Sequence, residues 1–171
     1  LVNPELLKGC RTDCAVYDSA YMTLEEVLEV IRDAERRGEM TVRLHTGDPS
    51  IYGAIREQMD ALDRMGIAYD VCPGVSSFCG AAAALNLEYT LPEVSQSVII
   101  TRMEGRTKVP EKESIRSFAA HQATMVLFLS TGLLEELSGE LIVGGYKEDT
   151  PAAIVYKASW PEEAVYRCTV G

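Results

Sequence analysis

Met40-Thr-Val-Arg-Leu-His-Thr-Gly-Asp-Pro-Ser-Ile-Tyr-Gly-Ala-Ile-Arg-Glu-Gln-Met59 carries three local signals in one stretch. Met40 to His45 is a short β-rich run, Thr46 to Pro49 is turn chemistry, and Ile51, Ile55, Met59 and Leu62 recur at helical spacing until Gly66. The order repeats downstream. Ile67 to Cys72 is a second β-rich run, Pro73-Gly74 breaks it, and Ser76 or Ser77 can cap a small-residue helix through Ala81 to Ala84. Upstream, Leu24, Val27, Leu28, Ile31 and Ala34 lie on one helical face, opened by a Thr23/Glu26 capping box and stopped by Gly38. Helices alternating with short strands through brief connections mark parallel βα units, so an α/β lobe with a mostly parallel sheet is expected here.

The pattern changes from Leu87 to Ser97, around Pro92, and a lobe boundary is expected there: an N-terminal lobe over 1–91 and a C-terminal lobe over 92–171. In the second lobe, Ser97 to Thr101 and Thr124 to Leu129 read as buried strands. Ser114 to Ala120 reads as a short helix between them, and Thr131 to Leu137 opens another. Ala152 to Lys157 and Ala164 to Thr169 are late strands whose short connection suits an antiparallel hairpin, so this sheet is expected to be mixed.

At 171 residues the chain is long enough for a substantial core, and its 47% apolar and 25% charged residues are those of a globular protein. No apolar run approaches the ~20 residues that cross a bilayer, and no charged-then-apolar leader precedes the first polar residues. Neither a membrane nor a secreted protein is expected. Sixteen basic against 26 acidic residues give a net charge of −10, which repels nucleic acid. Five irregularly spaced cysteines and two histidines do not make a metal site, and reduced thiols of a cytoplasmic protein are expected.

In open α/β sheets ligands collect beyond the carboxyl ends of strands, beside helix N-termini. Two loops are candidates. In the first, Gly47 permits close approach to the backbone, Asp48 offers an acceptor for a ribose hydroxyl or an ammonium, and Pro49 fixes the turn; the same residues also suit a plain capped turn. In the second, the hydroxyls of Ser76 and Ser77 lie over the amides of a helix mouth, which suits a polar ligand edge or an ordinary N-cap. A third feature runs against the overall charge. Between Thr101 and Ser117, Arg102, Arg106, Lys108, Lys112 and Arg116 face three glutamates, a net of +2. Such a loop can clamp carboxylates, or be a solvated surface. His45, at the end of a predicted strand, is either a proton-transfer residue or a hydrogen-bonded structural histidine.

Taken together, these loops resemble the tetrapyrrole methylase family. The superfamily signals are Gly47-Asp-Pro49 and Pro73-Gly-Val-Ser-Ser77; Thr101-Arg-Met-Glu-Gly-Arg-Thr107 and Tyr156-Lys-Ala-Ser-Trp-Pro161 resemble the branch acting at C11 of precorrin-4 or cobalt-precorrin-4 in cobalamin biosynthesis. The resemblance implies two α/β lobes with the active site between them, a homodimer, and S-adenosylmethionine (SAM) as methyl donor. Carried over by motif, Gly47, Asp48, Pro49, Ser76 and Ser77 would serve the cofactor. Leu129 falls where relatives place a residue against it, and Ala158 lies in the late loop that covers it. Arg102, Arg106 and Lys108 would face the acetate and propionate groups of the macrocycle. His45 and Tyr52 are the candidates for removing a proton.

One departure from the family pattern is expected to matter. Relatives begin with a strand and a Gly-rich loop that this sequence lacks before Leu1, and they continue past the position of Gly171. The chain is therefore expected to correspond to the interior of such an enzyme, without its first strand. The alternatives are methylation at another precorrin position or of another acceptor such as ribosomal RNA, or a non-catalytic dimeric module.

Overall fold

The computed structural model describes residues 2–105 and 107–171. The chain divides into two compact units, Leu1–Ser77 and Phe78–Gly171.

In the first unit, helix α1 (Leu24–Arg36) begins at the predicted capping box. Thr23 Oγ1 accepts the Glu26 amide at 3.2 Å, and Glu26 Oε2 accepts the Thr23 amide at 2.7 Å, so donors left over at the helix start are satisfied locally. Its buried Val27 and Ile31 pack on Leu62 of α2 (Arg56–Met65), with Met22, Leu28 and Ile67 closing the cluster. Helix α2 is shorter than its apolar spacing predicts. Tyr52 and Ala54 have φ of 55° and 50°, and a Cβ on Gly53 would stand 2.0 Å from the Pro49 carbonyl oxygen. Residues 49–55 therefore wind through tight turns, and the periodicity that starts at Ile51 becomes helical only at Arg56.

A second departure concerns the two β-rich runs. Among the described residues, neither 40–45 nor 67–72 joins a strand ladder, and Met40, Val42 and Val71 stay 91%, 70% and 47% exposed. β-propensity makes an extended run suitable for a sheet, but only a neighbour's N–H and C=O groups make it a strand. No described segment supplies them here.

The ladders lie in the second unit. Strand β1 (Val98–Arg102) pairs in parallel with β2 (Thr124–Phe128), from Val98 opposite Thr124 to Arg102 opposite Phe128. Their connection carries α4 (Ile115–Ala119), which packs against α5 (Leu134–Gly144) around Met103, Ile115, Ala119, Leu137 and Leu141. The helices touch closely: a Cβ on Gly144 would lie 2.4 Å from Ala119 Cβ and 2.7 Å from the Arg116 carbonyl oxygen. Strands β3 (Pro151–Tyr156) and β4 (Ala164–Thr169) form the predicted antiparallel hairpin. The α/β class holds, with parallel and antiparallel pairing both present, but as two separate two-stranded sheets among the described residues.

Helix α3 (Ser77–Leu85) starts at the last residue of the first unit, and its far end is tied into the second. Arg167 donates to the Leu85 carbonyl at 2.9 Å, Tyr89 Oη donates to the Phe78 carbonyl at 2.6 Å, and Thr124 Oγ1 donates to the Tyr89 carbonyl at 2.9 Å. These long-range bonds are why the composition break near residue 92 lies inside the second unit. Among the described residues, no helix is long and apolar enough to cross a membrane.

Candidate active site

Two loops of the first unit meet backbone to backbone. Gly47 has φ of 71°, and a Cβ there would lie 3.2 Å from both Ser76 Cα and Ser77 N; a Cβ on Gly74 would lie 2.3 Å from the Gly47 carbonyl oxygen. Glycine is required on both sides of this contact. Asp48 ties it together: Oδ2 accepts the Gly74 amide at 2.9 Å, while Oδ1 accepts the Ser50 amide at 2.8 Å and the Ser50 hydroxyl at 2.5 Å. The Ser50 hydroxyl, then the Gly74 and Ser50 amides, hold this carboxyl below the usual carboxylate range. Three of its roughly four acceptor positions are thus engaged within the protein. Asp48 fixes the two loops against each other, and one lone pair is left for a ligand.

The structure brings Gly47, Asp48, Ser76 and Ser77 into this one junction. Pro49, half-buried between Asp48 and Ser50, turns the chain, and the Asp48 carbonyl accepts the Ile51 amide at 3.2 Å. Ser76 is buried, and Ser77 is exposed at the first turn of α3. His45, half-buried just before the loop, is pushed below the usual imidazole range by burial and, less, by the charge of Arg43. Tyr52 stands 45% exposed in the turn after Pro49.

The second unit carries the other predicted residues. Leu129, directly after β2, has φ of 55° and is 78% exposed. Ala158 lies in the loop after β3, and a Cβ on Gly80 of α3 would be 3.5 Å from its Cβ. That loop is held from inside. Lys157 Nζ sits 4.9 Å from the centre of the Trp160 ring and 5.6 Å from that of Tyr156, and the Ser159 amide donates to Glu163 Oε2 at 2.6 Å.

Arg102 does something the sequence did not suggest. Its Nη1 donates to the carbonyls of Met103 (3.0 Å) and Thr107 (3.2 Å), and its Nη2 to those of Thr107 (3.2 Å) and Lys108 (3.3 Å). The guanidinium clasps its own loop, and Glu104 Oε2 accepts the Val109 amide at 3.2 Å to close it. Lys108 is exposed on this folded loop. Arg106 lies outside the described residues.

Sequence reading passed over Gly80 and Ser130 and gave Gly74 no site role of its own. Gly74 was legible as a strand breaker and as part of the Pro73-Gly-Val-Ser-Ser77 motif, and a glycine beside Pro73 already signals a close backbone approach. Ser130 follows a run of five apolar residues, and a small hydroxyl at the end of a buried strand is the signal that marks it.

The first-unit junction suits SAM by its donor set: backbone bared by Gly47 and Gly74, serine hydroxyls at a helix mouth, and a spare Asp48 lone pair. These can bind hydroxyls and a zwitterionic amino-acid end without a large charged side chain. In the second unit, Leu129 presents an exposed apolar side chain.

Comparison with known proteins agrees with this chemistry. The sequence model of the tetrapyrrole (corrin/porphyrin) methylases matches residues 4–171. The chain is 53% identical over 170 residues to the cobalt-precorrin-4 C(11)-methyltransferase of Methanocaldococcus jannaschii, covering 99% of this chain and 66% of that one. The X-ray structure of a cobalt precorrin-4 methyltransferase superposes with a TM-score of 0.96 at 46% identity, covering 99% of this chain and 71% of that one. The fold is shared more distantly, at 24% identity and a TM-score of 0.70, with a uroporphyrin-III C-methyltransferase of Thermus thermophilus solved with S-adenosyl homocysteine, over 85% of this chain and 64% of that one. The chain spans about two thirds of the length of the curated M. jannaschii relative. By this match over nearly its whole length, and by the paired glycine loops that the fold brings together, the chain belongs to the tetrapyrrole methylase family.

Proposed function

We propose that this chain is the methyl-transferring part of a SAM-dependent enzyme that methylates C11 of precorrin-4 or cobalt-precorrin-4 in cobalamin biosynthesis. The observation that carries this reading is the 46% identity and 0.96 TM-score to a cobalt precorrin-4 methyltransferase over 99% of the chain. When bound, SAM supplies a methyl group already activated on a sulfonium. The protein's task is then alignment and exclusion of water rather than strong acid–base chemistry.

On this reading Gly47 and Gly74 admit the cofactor to bare backbone, Asp48 holds the two loops and keeps one acceptor for it, and Ser76 and Ser77 meet its polar edge. Leu129 and Ala158 contribute apolar contact. Lys108 faces the substrate's carboxylates, Arg106 is assigned the same role by its place in the motif alone, and Arg102 shapes the loop that carries them. His45, held neutral near pH 7, can accept the proton lost from the methylated carbon at its free ring nitrogen, with Tyr52 as the other candidate. We also read the chain as one protomer of a cytoplasmic homodimer without nucleic-acid or membrane partners, a reading supported by the net charge of −10 and by the family.

A second reading is a module that binds ligand without turnover, favoured by the runs at 40–45 and 67–72, which lead into the site loops and join no strand ladder among the described residues. Calorimetric titration with SAM, followed by an assay for a 14-dalton mass gain on (cobalt-)precorrin-4, separates the two. Micromolar binding with mass gain supports the enzyme. Binding without mass gain favours the module, and no binding at millimolar SAM overturns both.

A further inference from the structure

Ser130 is 2% exposed, polar, and placed where two site segments leave the sheet. Its Oγ donates to the Phe128 carbonyl at 2.7 Å and accepts the Met103 amide at 3.1 Å. Arg102 and Phe128 are the last paired residues of β1 and β2, so this hydroxyl bridges the two strand exits one step beyond the ladder. Between Phe128 and Ser130 stands Leu129, a leucine in the left-handed region with its side chain in water. Such a conformation is costly for a residue with a Cβ and persists only where its neighbours are fixed. Ser130 fixes them. On its other side the same network continues: the Met103 carbonyl accepts from Arg102, which also holds the Thr107 and Lys108 carbonyls. A continuous set of hydrogen bonds therefore runs from the flanks of Leu129 to the backbone of Lys108.

We propose that Ser130 is a positioning residue that sets Leu129 and the basic loop after β1 together, so that the cofactor-facing and substrate-facing segments take up their working geometry as one unit. The identity of the two ligands rests on the function proposed above; the clamp rests on the hydrogen bonds alone. Removing the hydroxyl strands the buried Met103 amide and frees both exits, so loss of precision is expected at both ligands rather than at one.

The test compares the wild type with Ser130→Ala, Ser130→Thr, and Leu141→Ala as a core-destabilised control. Ser130→Ala is expected to weaken S-adenosylhomocysteine binding and raise the tetrapyrrole KM by about tenfold each, with kcat within about twofold. Ser130→Thr keeps the hydroxyl and is expected to restore both constants. Leu141→Ala is expected to lower Tm by at least as much while leaving both constants unchanged. If Ser130→Ala lowers Tm but binds both ligands like the wild type, the positioning role is overturned. Hydrogen exchange without ligand reads the clamp independently of function: Ser130→Ala must speed exchange of the Met103 amide, and unchanged protection overturns the clamp. A wild type that binds no S-adenosylhomocysteine yet shows that protection overturns the functional reading and, with it, the positioning role, and leaves the clamp standing.

Discussion

Asp48 accepts the amide of Gly74 at 2.9 Å across 26 residues of sequence, and this bond joins the two glycine-bearing loops of the first unit. The same carboxylate turns its other oxygen onto Ser50. A residue that looked suited to meeting a ligand is thereby committed chiefly to holding the site's walls together.

Asp48→Ala is expected to weaken S-adenosylhomocysteine binding by at least tenfold, because the loops lose their common acceptor. Asp48→Asn keeps one carbonyl oxygen and is expected to fall between, as titration calorimetry would register. The carboxyl is held below its usual value by hydrogen bonds to its charged form. Its contribution is therefore present above the unfolded value near 3.9 and lost as pH falls through the lowered folded value. Binding in the wild type should decay in that acid range, and in Asp48→Asn this part of the pH dependence should vanish.

Gly53→Ala and Gly66→Ala make the same chemical change and should behave differently. At Gly53 the new methyl would meet the Pro49 carbonyl oxygen at 2.0 Å, whereas at Gly66, with φ of 68°, it meets nothing within 4 Å. The Gly66 variant bears only the strain of a left-handed alanine, about 1 kcal/mol. The Gly53 variant must move backbone, for about 3 kcal/mol or more and a correspondingly lower urea midpoint. Equal midpoints for the two variants would contradict the tight turn at residues 49–55.

His45 gives a pH signature on the neutral side. Burial and Arg43 lower its proton affinity in the folded protein, so the unfolded chain binds the proton more readily. Stability from this group is complete above the unfolded value of about 6.5 and declines as pH drops from there toward the lowered folded value. His45→Asn should flatten the slope of Tm against pH between about 7 and 5. If His45 also accepts the reaction's proton, the same variant should lower kcat by more than tenfold at neutral pH.

Leu129→Gly should separate stability from binding. Glycine relieves the positive φ of 55° and removes an apolar side chain that is 78% exposed. The gain is offset in part by the freer unfolded chain, so Tm should be equal to or slightly above wild type. Affinity for S-adenosylhomocysteine should nonetheless fall about tenfold as the apolar contact goes. A lower Tm with unchanged affinity would remove Leu129 from the site.

Local chemistry decided most of the secondary structure, and the motifs carried the family. The Thr23/Glu26 box fixed the start of α1 because both bonds span only three residues. The apolar runs at 98–102 and 124–128 and the hairpin from β3 to β4 were legible for the same reason: period, turn residues and short connections are written in neighbouring positions. The two glycine loops and the basic segment could be located, and the chemistry they suit could be named. What each side chain does there was settled by the folded backbone around it. Asp48 turned to Gly74, Arg102 turned back on the carbonyls of its own loop, Ser130 joined two strand exits, and Tyr89 tied α3 to β2. The β-rich runs at 40–45 and 67–72 had strand propensity, but a strand exists only when another backbone is beside it to exchange hydrogen bonds. Sequence by itself determined the capped helix starts, the hairpin and the turn residues, because those preferences are local; tertiary structure alone decided which β-rich runs pair and which loops are tied together, because bonds such as Asp48 to Gly74 and Ser130 to Met103 span 26 and 27 residues.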